Sequence, residues 1–359
     1  MAAYSALRQP RGLVRVNGSV VSGWVDFETE QNSFYQADTF KLRFAANALP
    51  VDFNVAWFCS QKVLQVELFA GFPDNPSQFG ASDLKILILG NVDDVEYRPA
   101  EGLLGLSGRD LTALMIDTQT TEQYRNQTAS EIATLFAKRH GLTPVVTKTG
   151  KLSGTYYQID YARPNVQRPE WDVLSALANE EGMAVYVSGN ELHFEPKPRP
   201  TDTPYVLAWT VPDNQTTYPQ FGGMELCFSR NLTLAKDITV TYRSKNQRGK
   251  GFSQSANSAL SGGKKQVYQR VVANKTPEEL LKLAQNELKQ LTQHELKMTA
   301  ELPGDNALSI TNIVQVTGTG TVFDTLYYPE SIVRTLSVQG GYVMHLSAKN
   351  HSPEVEFIS

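Results

Sequence analysis

The stretch GLLGLSGRDLTALMID (102–117) joins two different patterns of hydrophobicity. Apolar residues that alternate as in a β-strand stop at Gly108, and the charged residues Arg109 and Asp110 follow. A short apolar segment with helical spacing, 111–117, begins directly afterwards. The stretch therefore predicts a strand that passes into a short helix through a charged joint.

Each residue of this joint has an expected architectural role. Gly108 is expected to let the backbone turn after the strand, because glycine has no Cβ. Asp110 is expected to cap the helix, because its carboxylate can accept the first unpaired helical N–H groups. Arg109 is expected to brace a nearby carboxylate. Replacing Gly108 with valine is therefore expected to lower the yield of folded protein.

The composition is that of a globular protein with sizeable apolar cores. The chain has 359 residues, of which 41% are hydrophobic and 19% charged, and the length favours two to four domains. The formal net charge of −4 argues against nucleic acid as the main partner. The start of the chain lacks the apolar core of a signal peptide, and no run approaches the about 18 apolar residues of a membrane span. We therefore expect a soluble protein made in the cytoplasm.

The two cysteines, Cys59 and Cys227, lie far apart, each in an apolar context typical of a strand. Isolated cysteines in such contexts behave as small apolar side chains. They are expected to be buried free thiols rather than a disulfide pair.

Strand patterns dominate the first hundred residues. Asn17-Gly18 separates two alternating apolar runs and predicts a tight hairpin with a type I′ turn. Further alternating runs follow in 39–45, 62–72 and 83–99. Several short strands with turn signals between them are typical of a sandwich or a barrel.

The period changes to that of helices after residue 118. Thr128 and Glu131 have the spacing of a capping box, and Gly141 stands where that helix would end. A second helix is predicted from Pro169 to Gly182. A strand, a Ser-Gly-Asn turn and a second strand follow in 183–196, so 118–197 reads as a compact α+β domain.

The proline-rich segment 197–204 is the best candidate for a domain boundary, and strand patterns return after it. A polar stretch, 243–270, carries seven Lys or Arg residues and no acid, and is predicted to be a solvated loop. The helix that follows is marked by Thr276 as cap, Pro277 at its first position and Glu279 in capping-box spacing. Deleting much of 249–263 is expected to leave folding intact.

The predicted fold class is α+β and β-rich, with two β-barrel-like domains and an α+β domain between them. The expected domains are 1–107, a first β-barrel-like tube domain; 108–200, an α+β outer domain; and 201–359, a second β-barrel-like tube domain. A basic loop and a helical insertion, at about 244–292, interrupt the last of these.

A search for catalytic chemistry finds no constellation. His294 and Glu295 begin like a zinc-protease motif, but Met298 stands where the second histidine is required. The segment 261–265 ends like a phosphate-binding loop but lacks its first glycine and its final hydroxyl residue. The histidines are scattered without metal-ligand spacing. No catalytic, cofactor or metal site is predicted.

The basic stretch allows two interpretations. A solvated flexible loop is favoured over a docking or polyanion-binding role, because few aromatic residues accompany the charges. Should it dock a partner, the candidate residues are Lys245, Arg248, Lys250, Lys264 and Lys265.

Two blocks of the sequence resemble the baseplate hub proteins of contractile-tailed bacteriophages, the phage late control protein D type. The first block rests on Gly108, Arg109, Asp110, Leu114, Ile116, Asp117, Asn126, Thr128, Glu131, Ile132, Ala133 and Gly141. The second also resembles the hub portion of type VI secretion spike proteins. It rests on Trp171, Asp172, Leu174, Leu177, Ala178, Glu180, Gly182, Gly189, Leu192 and Phe194. Together the blocks cover roughly 100–196.

The resemblance implies a homotrimer in which the two barrels of each copy form a ring. Such a ring adapts a sixfold tail tube to a threefold central spike, and encloses a channel through which the tape-measure protein and DNA pass without specific binding. The implied partners are the chain itself, the spike, the tube and the surrounding baseplate proteins, in the virion tail after assembly in the host cytoplasm. No cofactor is implied.

Two other interpretations stay open. The chain could be a hub scaffold with peptidoglycan-hydrolase activity, since some tail hubs carry lytic domains. It could also be the equivalent hub of a secretion apparatus or of a tail-like bacteriocin, because the hub performs the same task in each.

Overall fold

A computed structural model of the chain describes residues 9–122, 124, 126–150, 167–210, 220–230, 237–245, 251–258, 262, 265–273, 275–292 and 296–350. The polypeptide divides into two units. The first consists of Met1–Lys197, Glu301–Ile310 and Ser331–His345, and the second of Pro198–Ala300, Thr311–Glu330 and Leu346–Ser359. The division into three domains expected from the sequence stays a prediction.

The early part of the first unit is a β-sheet with one short helix. Its strands are β1 Arg11–Val16, β2 Ser19–Val20, β3 Trp24–Asn32, β4 Thr39–Ala45, β5 Gln65–Gly71, β6 Lys85–Arg98 and β7 Leu103–Asp110. Helix α1 spans Val55–Ser60. The hydrogen-bonded order is β3-β4-β7-β6-β5-β1-β2. The order leaves β3 open to a further strand on its other side.

The alternation read from the sequence places one face of this sheet in a core. Phe40, Leu42 and Phe44 point inward from β4, while Lys41 and Arg43 point outward. The predicted hairpin is confirmed, since Asn17 and Gly18 both have positive φ and Val16 pairs with Ser19. Burying one face of each strand is the main stabilising term for such a sheet.

A segment from near the end of the chain completes this sheet. Residues 331–337 of strand β21, Leu326–Ser337, pair antiparallel with β3. Leu336 and Tyr342 join the core of the first strands. Asn306 links the far side, because its side-chain amide donates to the carbonyl of Ala70 at 2.8 Å and accepts from Tyr342 Oη at 2.6 Å.

The rest of the first unit is an α+β assembly. Its elements are α2 Ala113–Asp117, β8 Gln119–Thr120, α3 Ala129–Arg139, β9 Thr143–Val146, β10 Arg168–Pro169, α4 Glu170–Glu181, β11 Met183–Ser188 and β12 Glu191–Pro196. Strands β11, β12 and β9 form a three-stranded sheet. Phe136 of α3 and Leu174 of α4 share a core with Phe194 of β12, and this core is separate from that of the large sheet.

The helix boundaries follow the predicted signals. Thr128 caps α3, and its capping box with Glu131 is formed on both sides. Gly141 follows the end of α3 with φ +72°, and Gly182 ends α4 with φ +70°. Pro169 precedes α4 as its cap residue rather than lying inside the first turn. Local capping chemistry therefore sets these ends.

The strands of the second unit fall into two groups, one of which forms a separate three-stranded sheet. Strands β13 Tyr205–Thr210, β14 Gln220–Phe221, β15 Glu225–Arg230, β19 Leu296–Pro303, β20 Val314–Thr317 and β22 Gly341–Lys349 belong wholly or in part to it, with the first residues of β21. A separate sheet in the order β17-β16-β18 consists of β16 Ile238–Lys245, β17 Gly251–Asn257 and β18 Gln266–Ala273.

Helix α5, Pro277–Thr292, covers the small sheet. The predicted capping box is confirmed, since Glu279 accepts from the Thr276 N–H at 2.8 Å and Thr276 Oγ1 accepts from the Glu279 N–H at 3.3 Å. Leu280 and Ala284 are buried. The helix and β16 share a core through Val240 and Ala284.

The expectation of a polar loop over 243–270 is wrong. Residues 251–257 and 266–270 are strands that pair with β16 on either side. Deleting 249–263 would remove all of β17, so folding should not survive it. Small polar residues such as Ser253 and Ser255 disguise the strand, because they form the uncovered face of a sheet whose other face meets α5.

The expectation that both cysteines are buried is also wrong. Cys59 and Cys227 are free thiols, as predicted, but both are exposed. Cys59 lies on helix α1 and not on a strand. The fold class, α+β and β-rich, is confirmed, with open sheets rather than closed barrels among the described residues. In the same part of the chain no helix is long and apolar enough to cross a bilayer.

Candidate functional site

Gly108 lies inside strand β7 and not in a turn, which corrects the first sequence-based role. It pairs with Phe40 on β4 and with Val92 on β6, where the register of β6 shifts between Val92 and Asp94. A Cβ at Gly108 would lie 2.0 Å from the carbonyl oxygen of Asn91 and 2.9 Å from Phe40 Cε1. Glycine is therefore required by the close approach of the neighbouring strands at a β-bulge.

Arg109 braces two carboxylates, as predicted. Its Nε and Nη2 donate to the two oxygens of Asp93 at 2.7 and 2.9 Å. Its Nη1 and Nη2 donate to Asp117 at 3.2 and 3.0 Å. These hydrogen bonds raise the pKa of Arg109 further above its usual value. Because Asp93 comes from the bulge of β6 and Asp117 from the end of α2, the guanidinium ties the sheet to the first helix.

Asp110 is buried, and its capping role differs from the prediction. Strand β7 continues through Asp110, and the cap residue of α2 is Thr112. The Asp110 carboxylate accepts from the Thr112 N–H at 3.1 Å and from Thr112 Oγ1 at 3.0 Å. It therefore holds the turn that leads into α2 rather than the helix end itself.

A second carboxylate, Asp38, lies in the same joint. Its backbone carbonyl accepts from the Asp110 N–H at 2.9 Å, and its Oδ1 accepts from the Asn32 N–H at 2.8 Å. Burial raises the pKa of Asp38 to about 7, against the lowering effects of the Asn32 hydrogen bond and of Arg334. Burial and the charge of Asp38 raise the pKa of Asp110 well above its ordinary range. The sequence carried no sign of this pairing.

Because the pKa values of Asp38 and Asp110 are raised in the folded protein, we expect the protein to be less stable at pH 8 than at pH 5. Between the unfolded pKa of about 4 and the folded pKa of Asp38, the folded chain binds more protons, so its stability falls as pH rises. We expect Asp38→Asn to reduce this fall in thermal unfolding scans at the two pH values. Asp324→Asn is the control: hydrogen bonds led by Thr319 lower the pKa of Asp324, so its loss should not change the difference. An unaltered difference in Asp38→Asn would contradict the assignment.

Tyr35 joins the large sheet to the α+β part. It lies between β3 and β4 with φ +76°, a conformation that costs a non-glycine residue about 1–3 kcal/mol. Trp171 Nε1 donates to the Tyr35 carbonyl at 2.9 Å, and Tyr35 Oη donates to the Met183 carbonyl at 2.6 Å. Trp171, singled out from the sequence, thus positions the two parts of the first unit. Nothing in the local pattern indicated Tyr35.

Glu170 forms a buried charge cluster that sequence reasoning missed. Its side chain has 0% exposure and accepts from Arg139 and from His140, the latter with 2.6 Å between Nε2 and Oε2. Arg139 also donates to Glu122 at 2.9 Å. The cluster joins the end of α3 to the start of α4. The only available signal was an Arg-His pair at one helix end and a carboxylate at the start of another.

The remaining residues of the two blocks serve local structure. Asn126 and Gly189 adopt positive φ in turns. Leu177 packs at the edge of the α+β core, while Asp172 and Glu180 are exposed on α4. The structure thus brings Gly108, Arg109, Asp110 and Asp117 together, and leaves the other residues of the blocks at separate turns and helix faces.

The five candidate docking residues lie in and around the small sheet or outside the described residues. Arg248, Lys250 and Lys264 lie outside the described residues, Lys245 ends strand β16, and Lys265 is exposed directly before β18. Their docking role stays a prediction.

The outward face of the large sheet carries charge in stripes. Acidic residues of β3 face basic residues of β4 in register, with Asp26 opposite Arg43 and Glu28 opposite Lys41. Beyond them the small residues of β7 form the floor of a groove of about 880 Å³, bounded by acidic residues of β6. The charged side chains that line the groove are four acidic ones, Asp26, Glu28, Asp94 and Glu96, and three basic ones, Lys41, Arg43 and Arg98.

No group of three or more His, Cys, Asp or Glu residues within the described ranges has the geometry of a metal site. The charged clusters at Arg109 and Glu170 consist of hydrogen-bonded ion pairs that join different elements. Neither cluster pairs an exposed nucleophile with a base. Each cluster therefore ties together separate elements of the first unit.

Two solved tail proteins match this chain over nearly its whole length. A tail protein from Neisseria meningitidis MC58 has a TM-score of 0.69 and 15% identity, with 95% of this chain and 96% of that chain covered. A 43 kDa tail protein of prophage MuSo2 from Shewanella oneidensis has a TM-score of 0.63 and 15% identity, with 96% and 99% covered. The chain has the fold of phage tail proteins.

The tail-protein fold extends to a secretion protein. An Escherichia coli component of the type VI secretion system, described as structurally similar to the T4 bacteriophage tail proteins gp27 and gp5, matches with a TM-score of 0.52 and 10% identity. It covers 96% of this chain and 79% of that one. The resemblance to baseplate hubs is thereby confirmed at the level of the fold. No protein-family model and no curated protein matches the sequence.

Proposed function

We propose that the chain is the structural hub of a contractile phage tail baseplate. In this role a homotrimer forms a ring that adapts the sixfold tail tube to the threefold central spike. Its channel passes the tape-measure protein and then DNA without specific binding. The observation that carries the proposal is the match to two tail proteins over 95% or more of both chains in each pair.

The charges of the described residues support a structural role. The ion pairs at Arg109 and at Glu170 each tie together elements of the first unit. Ties of this kind resist relative movement of the parts they join, which suits a component that transmits load during contraction. The partners proposed are the spike, the tube, the surrounding baseplate proteins and two further copies of the chain, in the virion tail after assembly in the host cytoplasm.

A second candidate is the equivalent hub of a secretion apparatus, favoured by the likeness to the Escherichia coli type VI secretion component. The fold does not separate this role from the phage role, because both place a ring above a spike. The genes next to the coding sequence distinguish them.

The native mass of the purified protein, with particle images from the same fraction, tests the proposal. A mass of three chains and a ring with a central hole are expected. A monomer at all concentrations, both alone and with a co-expressed spike, would overturn the trimeric hub. A peptidoglycan hydrolysis assay on the same sample tests the hydrolase alternative, and release of soluble fragments would establish it.

A further inference from the structure

The loop 33–37 connects β3 to β4 and lies against the α+β part of the first unit. Phe34 is buried, with its ring centroid 5.8 Å from that of Tyr186 on β11. The backbone N–H of Tyr35 donates to the carbonyl of Val185 at 3.3 Å, in addition to the two bonds already described for its carbonyl and its hydroxyl. The loop therefore joins the large sheet to both α4 and β11.

One aspartate closes the base of this loop. Asp38 Oδ1 accepts from the Asn32 N–H at 2.8 Å, and the Asn32 side-chain amide donates to the carbonyl of Ala37 at 2.9 Å. The Asp38 carbonyl accepts from the Asp110 N–H at 2.9 Å, which fixes the base to β7. Asp38 thus holds the two ends of the loop together and anchors them on the large sheet.

The charges around Asp38 come from three strands. Glu30 on β3 and Asp110 on β7 are acidic, and Arg334 on β21 is basic. Arg334 and Asp110 are both buried. Burial of Asp38 has a larger effect on its pKa than the attraction of Arg334, so the pKa is raised to about 7. Ionisation of Asp38 therefore places an unfavourable charge at the base of the closed loop.

The closed loop also holds backbone strain. Tyr35 has φ +76°, a left-handed conformation that is unfavourable for a residue other than glycine. Its hydrogen bonds to α4 and β11 keep it in this conformation, and Lys197 Nζ lies 5.3 Å from the centroid of its ring. The backbone at Tyr35 relaxes once the loop is released. Opening of the base and release of the tip therefore favour each other.

We propose that 33–38 is a proton-dependent latch between the large sheet and the α+β part, closed while Asp38 is protonated and opened as Asp38 ionises. In the open, hydrated loop the pKa of Asp38 returns to about 4. The open form then binds fewer protons than the closed form, whose Asp38 has a pKa of about 7, so the equilibrium constant for opening rises roughly 80-fold between pH 5 and pH 8. The latch is a property of one chain and does not depend on the proposed ring.

Hydrogen–deuterium exchange of the full chain at pH 5 and pH 8, corrected for the pH dependence of the chemical exchange rate, tests the latch. Peptides that contain the N–H groups of Asn32 and Tyr35 report on its base and its tip. Their corrected exchange should be faster at pH 8 by the factor given above, while α3 keeps its protection. Equal loss of protection in α3 would show that the whole first unit opens, and would overturn a local latch. Unchanged protection at Asn32 and Tyr35 would also overturn it.

Three variants test whether Asp38 is the titrating group. Asp38→Asn keeps an oxygen that can accept from Asn32 but cannot ionise, so protection of the loop should be equal at the two pH values. Asp94→Asn, at an exposed carboxylate of β6, is the matched control and should keep the natural pH dependence. Glu30→Gln removes a charge that raises the pKa of Asp38, so the midpoint of the change should move to lower pH.

Glu30→Gln also decides the question if Asp38→Asn fails to fold. A midpoint that stays in place in Glu30→Gln would overturn the assignment to Asp38. A pH dependence that survives in folded Asp38→Asn would overturn it as well.

Discussion

Gly108→Val is expected to prevent folding of the first unit. The new Cβ would lie 2.0 Å from the carbonyl oxygen of Asn91, a backbone atom held by the pairing of β6 with β7. A flexible side chain could move aside, but a strand in the middle of a sheet cannot without loss of its hydrogen bonds. Overpacking of this kind costs about 3 kcal/mol or more, and a valine adds further atoms beside Phe40.

The same strand offers the control for this substitution. Gly105 lies three positions earlier on the outward face, where the nearest atom to an added Cβ is the Glu96 carbonyl at 3.8 Å. Gly105→Val should give normal yield and an unchanged thermal midpoint, while Gly108→Val should give insoluble protein. Soluble Gly108→Val with a midpoint near that of the natural protein would show that the bulge at Asp93 can widen, and that the contact is not essential.

Arg139→Ala is expected to destabilise the first unit by about 1.5–3 kcal/mol, the usual contribution of a hydrogen bond to a charged group, because His140 remains in contact with Glu170. Glu170 has a fully buried side chain, and Arg139 and His140 are its partners from α3. Without Arg139 the charge of Glu170 loses one of its two compensating contacts. Chemical denaturation followed by circular dichroism measures the change in the free energy of unfolding.

Two further variants locate the cause of this loss. Glu122→Gln removes the exposed partner of Arg139 and should cost less than about 1 kcal/mol, as exposed ion pairs generally do. The double variant Arg139→Ala/Glu170→Gln should be more stable than the sum of its single changes predicts, since no buried charge is left uncompensated. Additive losses would place the effect in the packing of Arg139 over the Phe136 ring rather than in the charge.

The stretch 102–117 joins the sheet to the first helix as its sequence predicts, but through different contacts. Arg109 braces carboxylates as its position suggested, yet its partner Asp93 lies 16 positions away, at a bulge that no local pattern marks. Gly108 is required by the approach of Asn91 and not by a turn. Both facts depend on which strands are neighbours, and the pairing of β6 with β7 was not specified by the residues of β7 alone.

The sequence by itself determined the features that depend on neighbours within about four positions, because capping and turns are local hydrogen-bonding problems. The Asn17-Gly18 hairpin, the capping boxes at Thr128 and Thr276, and the end of α4 at Gly182 are of this kind. Each was predicted at the residue where it occurs.

Only the tertiary structure decided which distant segments meet. The pairing of β21 with β3 brings together residues such as Ser331 and Glu30, 301 positions apart. It also places the buried Arg334 near Asp38. Burial raises the pKa of Asp38, and the charge of Arg334, which comes from another strand, lowers it. The strands at 251–257 and 266–273 were not predicted from the sequence, for the same reason. A sheet covered on one side by a helix tolerates serine, glutamine and asparagine on its other side, and only its pairing with β16 reveals it.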